Sequence, residues 1–64
     1  MLHLLTQAEA AKLLRLSERT LERLRVSGGG PHFVKAGRLV RYREADLEEW
    51  INSRVRHSTS EASQ

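Results

Sequence analysis

Two helix-capping signals, placed close together near the start of the chain, constrain its fold more than any other sequence feature. Residues 6–9 read TQAE, a capping box in which the Thr6 hydroxyl accepts from the Glu9 N–H and the Glu9 carboxylate accepts from the Thr6 N–H. Ser17 is a second N-cap. The two signals predict two short helices joined by a tight turn, over about residues 7–14 and 18–27.

A glycine-rich segment separates these helices from a predicted hairpin. Residues 28–31 read GGGP; glycine provides the positive φ of a helix C-cap, and Pro31 cannot continue a helix. A flexible linker between domains is the other interpretation of this run, but neither side is long enough to be a domain. The β-prone segments 33–35 and 39–42 flank Gly37, which marks a turn, so they predict a two-stranded hairpin.

A third helix is predicted over about residues 44–53. Leu47, Trp50 and Ile51 follow the i, i+3, i+4 spacing of an amphipathic helix, and Val55 extends the apolar stripe. This spacing predicts that Trp50 belongs to the core and does not serve as a surface on which bases stack.

The chain has 64 residues and no cysteine, which limits it to one small domain. Disulfides and thiolate zinc sites are therefore excluded. No apolar run approaches the ~20 residues of a membrane span, and residues 1–5 are too short for a signal-peptide core, so a cytoplasmic location is expected. We expect a domain over residues 1–56 and a disordered polar tail over residues 57–64.

Charge is distributed unevenly along the sequence. Lys and Arg number 11 against 8 Asp and Glu, for a net charge of +3. Residues 15–43 carry eight basic and two acidic side chains (a net of +6), whereas residues 44–53 carry four acids and no base (a net of −4). This split predicts a basic binding face and an acidic segment elsewhere, with an ordinary solvated surface of mixed charge as the alternative.

The predicted order of elements is that of a small winged helix-turn-helix, an α+β fold with two N-terminal helices, a two-stranded hairpin wing and a third helix. The major groove of DNA admits an α-helix, and the N-terminal half of a recognition helix contacts base edges. Arg19 and Arg23 lie four residues apart on one face of the second helix, where each can pair with guanine or with a phosphate. Glu18 can accept from cytosine N4. The alternative is a solvated helix face.

The hairpin tip is the predicted wing. Gly37 allows the backbone to approach a sugar-phosphate strand closely, and Arg38 at a narrow tip can enter a minor groove, although a solvated turn is the alternative. Arg41 and Arg43 are expected to contact flanking phosphates, or Arg41 to pair with the acidic third helix.

Residues 4–51 resemble the excisionase and AlpA-like group of small winged helix-turn-helix proteins, relatives of the MerR-type DNA-binding domain. The matching strings are Leu5-Thr6, Glu9-Ala10-Ala11, Leu13-Leu14, Leu16-Ser17, Thr20-Leu21, Arg23, Gly30-Pro31, Phe33-Val34-Lys35, Gly37-Arg38, Val40-Arg41-Tyr42 and Asp46-Leu47-Glu48-Glu49-Trp50-Ile51. The resemblance implies that the second helix reads the major groove and that the wing contacts the minor groove or its phosphates. The predicted DNA-binding residues are Ser17, Glu18, Arg19, Thr20, Arg23, Lys35, Gly37, Arg38 and Arg41.

No catalytic, metal or cofactor site is predicted. His3, His32 and His57 have no metal-ligand spacing with one another. Glu48 and Glu49 are adjacent, so they point to different faces of a helix and make a poor catalytic pair. The long dimerisation helix and effector domain of MerR-type regulators have no counterpart here, so no small-molecule effector is expected.

Three functions are compatible with these features. The first is an excisionase, a recombination directionality factor that binds and bends DNA near an attachment site and steers an integrase toward excision of a mobile element, with several copies binding cooperatively. The second is a small transcriptional regulator that acts at a promoter. The third is a protein-interaction module whose Trp50 helix docks a partner. An enzyme is the least expected class.

Overall fold

Three helices and three short strands make up residues 3–56, the part of the chain that the computed structural model describes. They are β1 (Leu4–Thr6), α1 (Gln7–Leu14), α2 (Glu18–Ser27), β2 (Val34–Ala36), β3 (Leu39–Arg43) and α3 (Glu44–Asn52). Apart from β1, this is the predicted order of an α+β, winged helix-turn-helix fold. The expected tail, residues 57–64, lies outside the described residues.

The helix-turn-helix unit is defined by local hydrogen bonds. The capping box of α1 is confirmed: the Glu9 N–H donates to the Thr6 hydroxyl over 3.1 Å, and the Thr6 N–H donates to the Glu9 carboxylate over 2.9 Å. Arg15 ends α1 in a left-handed conformation with φ 59°, and the next N–H, of Leu16, donates to the Ala11 carbonyl. Ser17 then caps α2 by accepting from the Thr20 N–H.

The sheet has a strand that the sequence did not predict. Its order is β1-β3-β2, antiparallel throughout, with Leu5 opposite Tyr42 and Lys35 opposite Val40. The wing is therefore the outer part of a three-stranded sheet and not an isolated hairpin. β1 was not predicted because three residues that end at a helix cap are too few to show alternation, and their pairing partners lie more than thirty positions away.

The core lies between the sheet and the helices. Its buried side chains are Leu5, Ala10, Ala11, Leu21, Tyr42 and Leu47. Alanines on the inner face of α1 allow α2 to approach closely, and Leu21 and Tyr42 are the largest fully buried side chains. The predicted apolar stripe of α3 is wrong at its end: Ile51 is 45% exposed, and Val55, which lies beyond the last residue of α3, is 65% exposed.

Trp50 is half-buried, at the edge of the core and not within it. Its indole N–H donates to the Gly29 carbonyl over 2.9 Å, and the Arg54 guanidinium both donates to the same carbonyl and lies 4.9 Å from the Trp50 ring centroid. These contacts hold the loop after α2 against α3. They join residues 21 and 25 positions apart, so helical spacing did not reveal them.

The three consecutive glycines have different structural roles. Gly28 ends α2 with φ 88°, as a C-cap glycine does. Gly30 is required for space, because a Cβ there would lie 2.9 Å from the Leu24 Cβ. A Cβ on Gly29 would meet only ordinary contacts, at 3.8 Å or more.

Gly30→Ala is therefore expected to destabilise the fold by about 1–3 kcal/mol, because the added methyl group collides with α2 where neither partner can move freely. Gly29→Ala is the matched control and should change the free energy of unfolding by less than about 1 kcal/mol. Urea unfolding followed by Trp50 fluorescence measures both. Equal losses in the two variants would contradict the assigned role of Gly30.

Candidate nucleic-acid interface

Two guanidinium groups on the outer face of α2 have no partner among the described residues. Leu21 fixes the opposite face of this helix in the core, which leaves Arg19 and Arg23 exposed beside Glu22 and Val26, around an open depression. Within residues 3–56, neither arginine makes a hydrogen bond or an ion pair, since the described ion pair is Arg43–Asp46. Both guanidinium groups are therefore available to an external acceptor such as a phosphate or a guanine edge.

Two polar side chains at the start of α2 form hydrogen bonds within the protein. The Ser17 hydroxyl accepts from the Thr20 N–H and donates to the Thr20 hydroxyl over 2.9 Å. Both residues are predicted DNA contacts, and the structure gives both a capping role in the free protein. Glu18, the third predicted contact here, is exposed in the first turn of α2.

The wing tip is a two-residue loop, Gly37-Arg38, between β2 and β3. Gly37 has φ 62°, which the tight hairpin turn requires, and a Cβ there would meet nothing within 4 Å. The positive φ of the turn, and not a lack of space for a side chain, therefore accounts for glycine at position 37. Lys35, Gly37 and Arg38 are all exposed, so the tip is free to approach a ligand.

The two arginines of β3 make different contacts. Arg43, and not Arg41, pairs with the acidic helix: its Nε and Nη2 atoms donate to Asp46 over 2.6 and 3.0 Å. Arg43 is the N-cap residue of α3, which puts Asp46 within reach one turn later. Arg41 is half-buried and donates to the Val40 carbonyl over 2.8 Å. The expected pairing of Arg41 with α3 is therefore wrong.

A cluster of Arg25, Phe33 and Tyr42 connects α2 to the wing. The Arg25 guanidinium lies 5.8 Å from the Phe33 ring centroid, and the Phe33 and Tyr42 rings are 6.3 Å apart. Burial raises the pKa of the Tyr42 hydroxyl, which has no hydrogen-bond partner among the described residues. The cluster thus joins α2 to the segment that leads into the hairpin. The sequence showed Arg25 only as part of a basic stretch, and the one signal for this contact was the pair of aromatic residues near the hairpin, Phe33 just before β2 and Tyr42 in β3.

The Arg43–Asp46 pair gives the fold a dependence on pH. The Arg43 guanidinium donates to Asp46 and holds the pKa of that carboxyl below its ordinary 3.8, and the same contact raises the pKa of Arg43. A lowered pKa means that the folded state favours the carboxylate. The resulting stability is fully present above the ordinary pKa and is lost as the pH falls through the lowered one.

Asp46→Asn is therefore expected to lower the Tm at neutral pH, and the difference from the parent should shrink as the pH falls below 3.8. Thermal unfolding between about pH 2 and 7 measures this, with Glu48→Gln on the same helix as an exposed control. A Tm difference that stays constant over this range would show that the pair does not contribute through ionisation.

One group of side chains, away from α2 and the wing, has the composition of a metal site. His32, Asp46 and Glu49 bring their ligand atoms within 4.8 Å of one another. None of them is among the predicted DNA-binding residues. The spacing of the histidines with one another does not indicate this group, because its other two members are carboxylates of α3.

No helix within residues 3–56 is both long enough and apolar enough to cross a membrane.

Comparison with known proteins agrees with this geometry. A family model described as a helix-turn-helix domain matches residues 4–55. The match confirms the resemblance to the excisionase and AlpA-like group, and the family consists of DNA-binding, non-enzymatic domains. No curated protein is significantly similar to the chain. All six described elements fall within the matched residues, and the chain is a small DNA-binding protein that belongs to the helix-turn-helix domain family.

Proposed function

We propose that the chain is an excisionase, which binds DNA in a sequence-specific manner near an attachment site and steers an integrase toward excision of a mobile element. The observation that carries this proposal is the pair of free guanidinium groups, Arg19 and Arg23, on a capped helix that the Arg25–Phe33–Tyr42 cluster joins to an exposed hairpin. The resemblance to excisionases supports the recombination role.

In this proposal, α2 enters the major groove with Arg19 and Arg23 toward base edges or phosphates, and Glu18 toward cytosine N4. Lys35 and Arg38 contact the adjacent minor groove or its phosphates. Gripping two grooves at once favours a bent duplex, since the deformation energy is offset by the additional contacts. At the start of α2, the hydroxyls of Ser17 and Thr20 contact the DNA. Gly37 allows the wing backbone to approach the sugar-phosphate strand closely, and Arg41 contacts the flanking phosphates.

Several copies are expected to act together. A single module of this size buries only about 600–1,000 Å² on DNA, so one copy binds modestly. Neighbouring copies on tandem sites would raise the overall affinity through their high effective concentration. The acidic face of α3 in one copy is available to approach the basic face of the next, and an integrase is the second expected partner. A footprint confined to one short site at saturating protein would argue against cooperative binding.

Arg23→Ala should weaken binding to the specific site by ~1–3 kcal/mol, or about 5- to 150-fold in Kd, because it removes a bidentate donor from the recognition helix. Arg38→Ala should lower affinity for specific and scrambled DNA more equally. Fluorescence anisotropy with both DNAs measures these effects. Lys12→Ala, an exposed positive charge on α1 outside the proposed interface, is the control. Equal binding by Arg23→Ala and the parent would exclude the major-groove role of Arg23.

An excision assay on DNA flanking the native gene tests the recombination role. The reaction contains the integrase and is run with and without this protein, and the excised product is expected to increase when the protein is present. A promoter reporter for the neighbouring genes runs in parallel. Regulation of the promoter without any effect on excision would replace the proposal with a transcriptional role.

A further inference from the structure

A group of three potential metal ligands lies between the loop after α2 and the first turns of α3, formed by His32, Asp46 and Glu49. Asp46 and Glu49 are separated by one helical turn, so both carboxylates lie on one face of α3. His32 reaches this face from the loop, and the ligand atoms of all three lie within 4.8 Å of one another. They line a cavity of about 250 Å³ together with Gly30, Pro31 and Trp50.

The loop that carries His32 is held in place without any ligand. Pro31, directly before it, is buried, and the Gly29 carbonyl accepts from both Trp50 and Arg54. Gly30 packs against Leu24 so closely that no side chain fits there. The imidazole is therefore presented to the carboxylates by a fixed backbone, which reduces the entropy lost when a ligand binds.

We propose that His32, Asp46 and Glu49 bind one divalent transition-metal ion of the Zn²⁺ class. One imidazole nitrogen and two carboxylates suit a borderline ion such as Zn²⁺, Ni²⁺ or Co²⁺, whereas Mg²⁺ and Ca²⁺ prefer all-oxygen sites. Three protein ligands leave room for water to complete the coordination.

The Arg43 contact with Asp46 is compatible with this role. Nε and Nη2 of Arg43 take one hydrogen bond on each Asp46 oxygen. A carboxylate has about four lone-pair sites, so both oxygens keep capacity for a further partner. Among the described residues the Glu49 carboxylate makes no ion pair, so its charge is free to face a cation. Bound metal would join the loop to α3 and add to the Trp50 contact.

Calorimetry of the EDTA-treated, untagged full chain with ZnCl₂ tests the site, together with the shift in Tm on adding Zn²⁺. We expect one ion per chain and a rise in Tm. His32→Ala and Glu49→Gln, both at exposed positions that should not disturb folding, are each expected to weaken Zn²⁺ binding at least ten-fold and to abolish the rise in Tm. Glu48→Gln, the exposed neighbour on α3, is the matched control and should bind as the parent does.

Other histidines are tested in the same way. His3→Ala and His57→Ala should retain Zn²⁺ binding, and MgCl₂ should give no saturable signal. Parent affinity in His32→Ala, loss of binding in His3→Ala or His57→Ala, or no saturable Zn²⁺ binding by the parent would each overturn the site. None of these outcomes depends on DNA binding or on excision.

Discussion

Raising the salt concentration from 50 to 200 mM is expected to weaken binding to DNA by about 10³-fold, if the α2 face and the wing together neutralise about six phosphates. Each neutralised phosphate releases condensed counterions, so log affinity should fall against log salt with a slope near −5. We expect six cationic side chains on α2 and the wing to supply this electrostatic contact, namely Arg19, Arg23, Lys35, Arg38, Arg41 and Arg43. Anisotropy titrations at four or five salt concentrations give the slope directly.

Arg38→Ala provides the internal comparison for this slope. Removing one phosphate contact should make the slope shallower by about 1 while leaving sequence preference nearly unchanged. Lys12→Ala should leave the slope of the parent. A flat slope in the parent would favour the protein-interaction function, in which the α3 surface and not the basic face carries the activity.

Leu21→Ala should remove about 2–5 kcal/mol of stability, since it opens a cavity at one of the two largest fully buried side chains. A domain of this size is stabilised by only about 3–10 kcal/mol in total, so the variant is expected to be largely unfolded near physiological temperature. Leu21 also anchors the α2 face that carries Arg19 and Arg23, and loss of DNA binding should therefore accompany unfolding. Urea unfolding followed by circular dichroism measures the change.

Leu13→Ala is the matched control for that measurement. Leu13 is a leucine on α1 that is 57% exposed, so the same truncation there should cost less than about 1 kcal/mol. Similar losses in the two variants would mean that the core is not centred between α2 and the sheet. Retained cooperative unfolding in Leu21→Ala with a small loss would lead to the same conclusion.

The proposed interface was predictable as a set of exposed positions but not as an arrangement of free and occupied side chains. Arg19, Arg23, Lys35 and Arg38 are exposed as the helical spacing and the hairpin turn predict. Arg43 donates to Asp46, whereas the prediction gave both Arg41 and Arg43 to flanking phosphates, with Arg41 as the alternative partner of α3. The Arg43–Asp46 pair joins the N-cap of α3 to a side chain three positions later, so it is a local contact that the correctly predicted start of α3 made accessible to sequence reasoning.

Local chemistry determined the ends of the elements in this protein. The caps at Thr6 and Ser17, the glycine at the end of α2 and the turn at Gly37 depend on residues within about four positions of each other, so the local sequence specifies them.

Only the tertiary structure decided how these elements meet. The pairing of Leu5 with Tyr42, the stacking of Arg25 on Phe33, the hydrogen bond from Trp50 to Gly29 and the approach of His32 to α3 join residues that are distant in sequence. Such contacts form because burying the core side chains brings these segments together, and no short-range pattern specifies which side chains become neighbours when that happens.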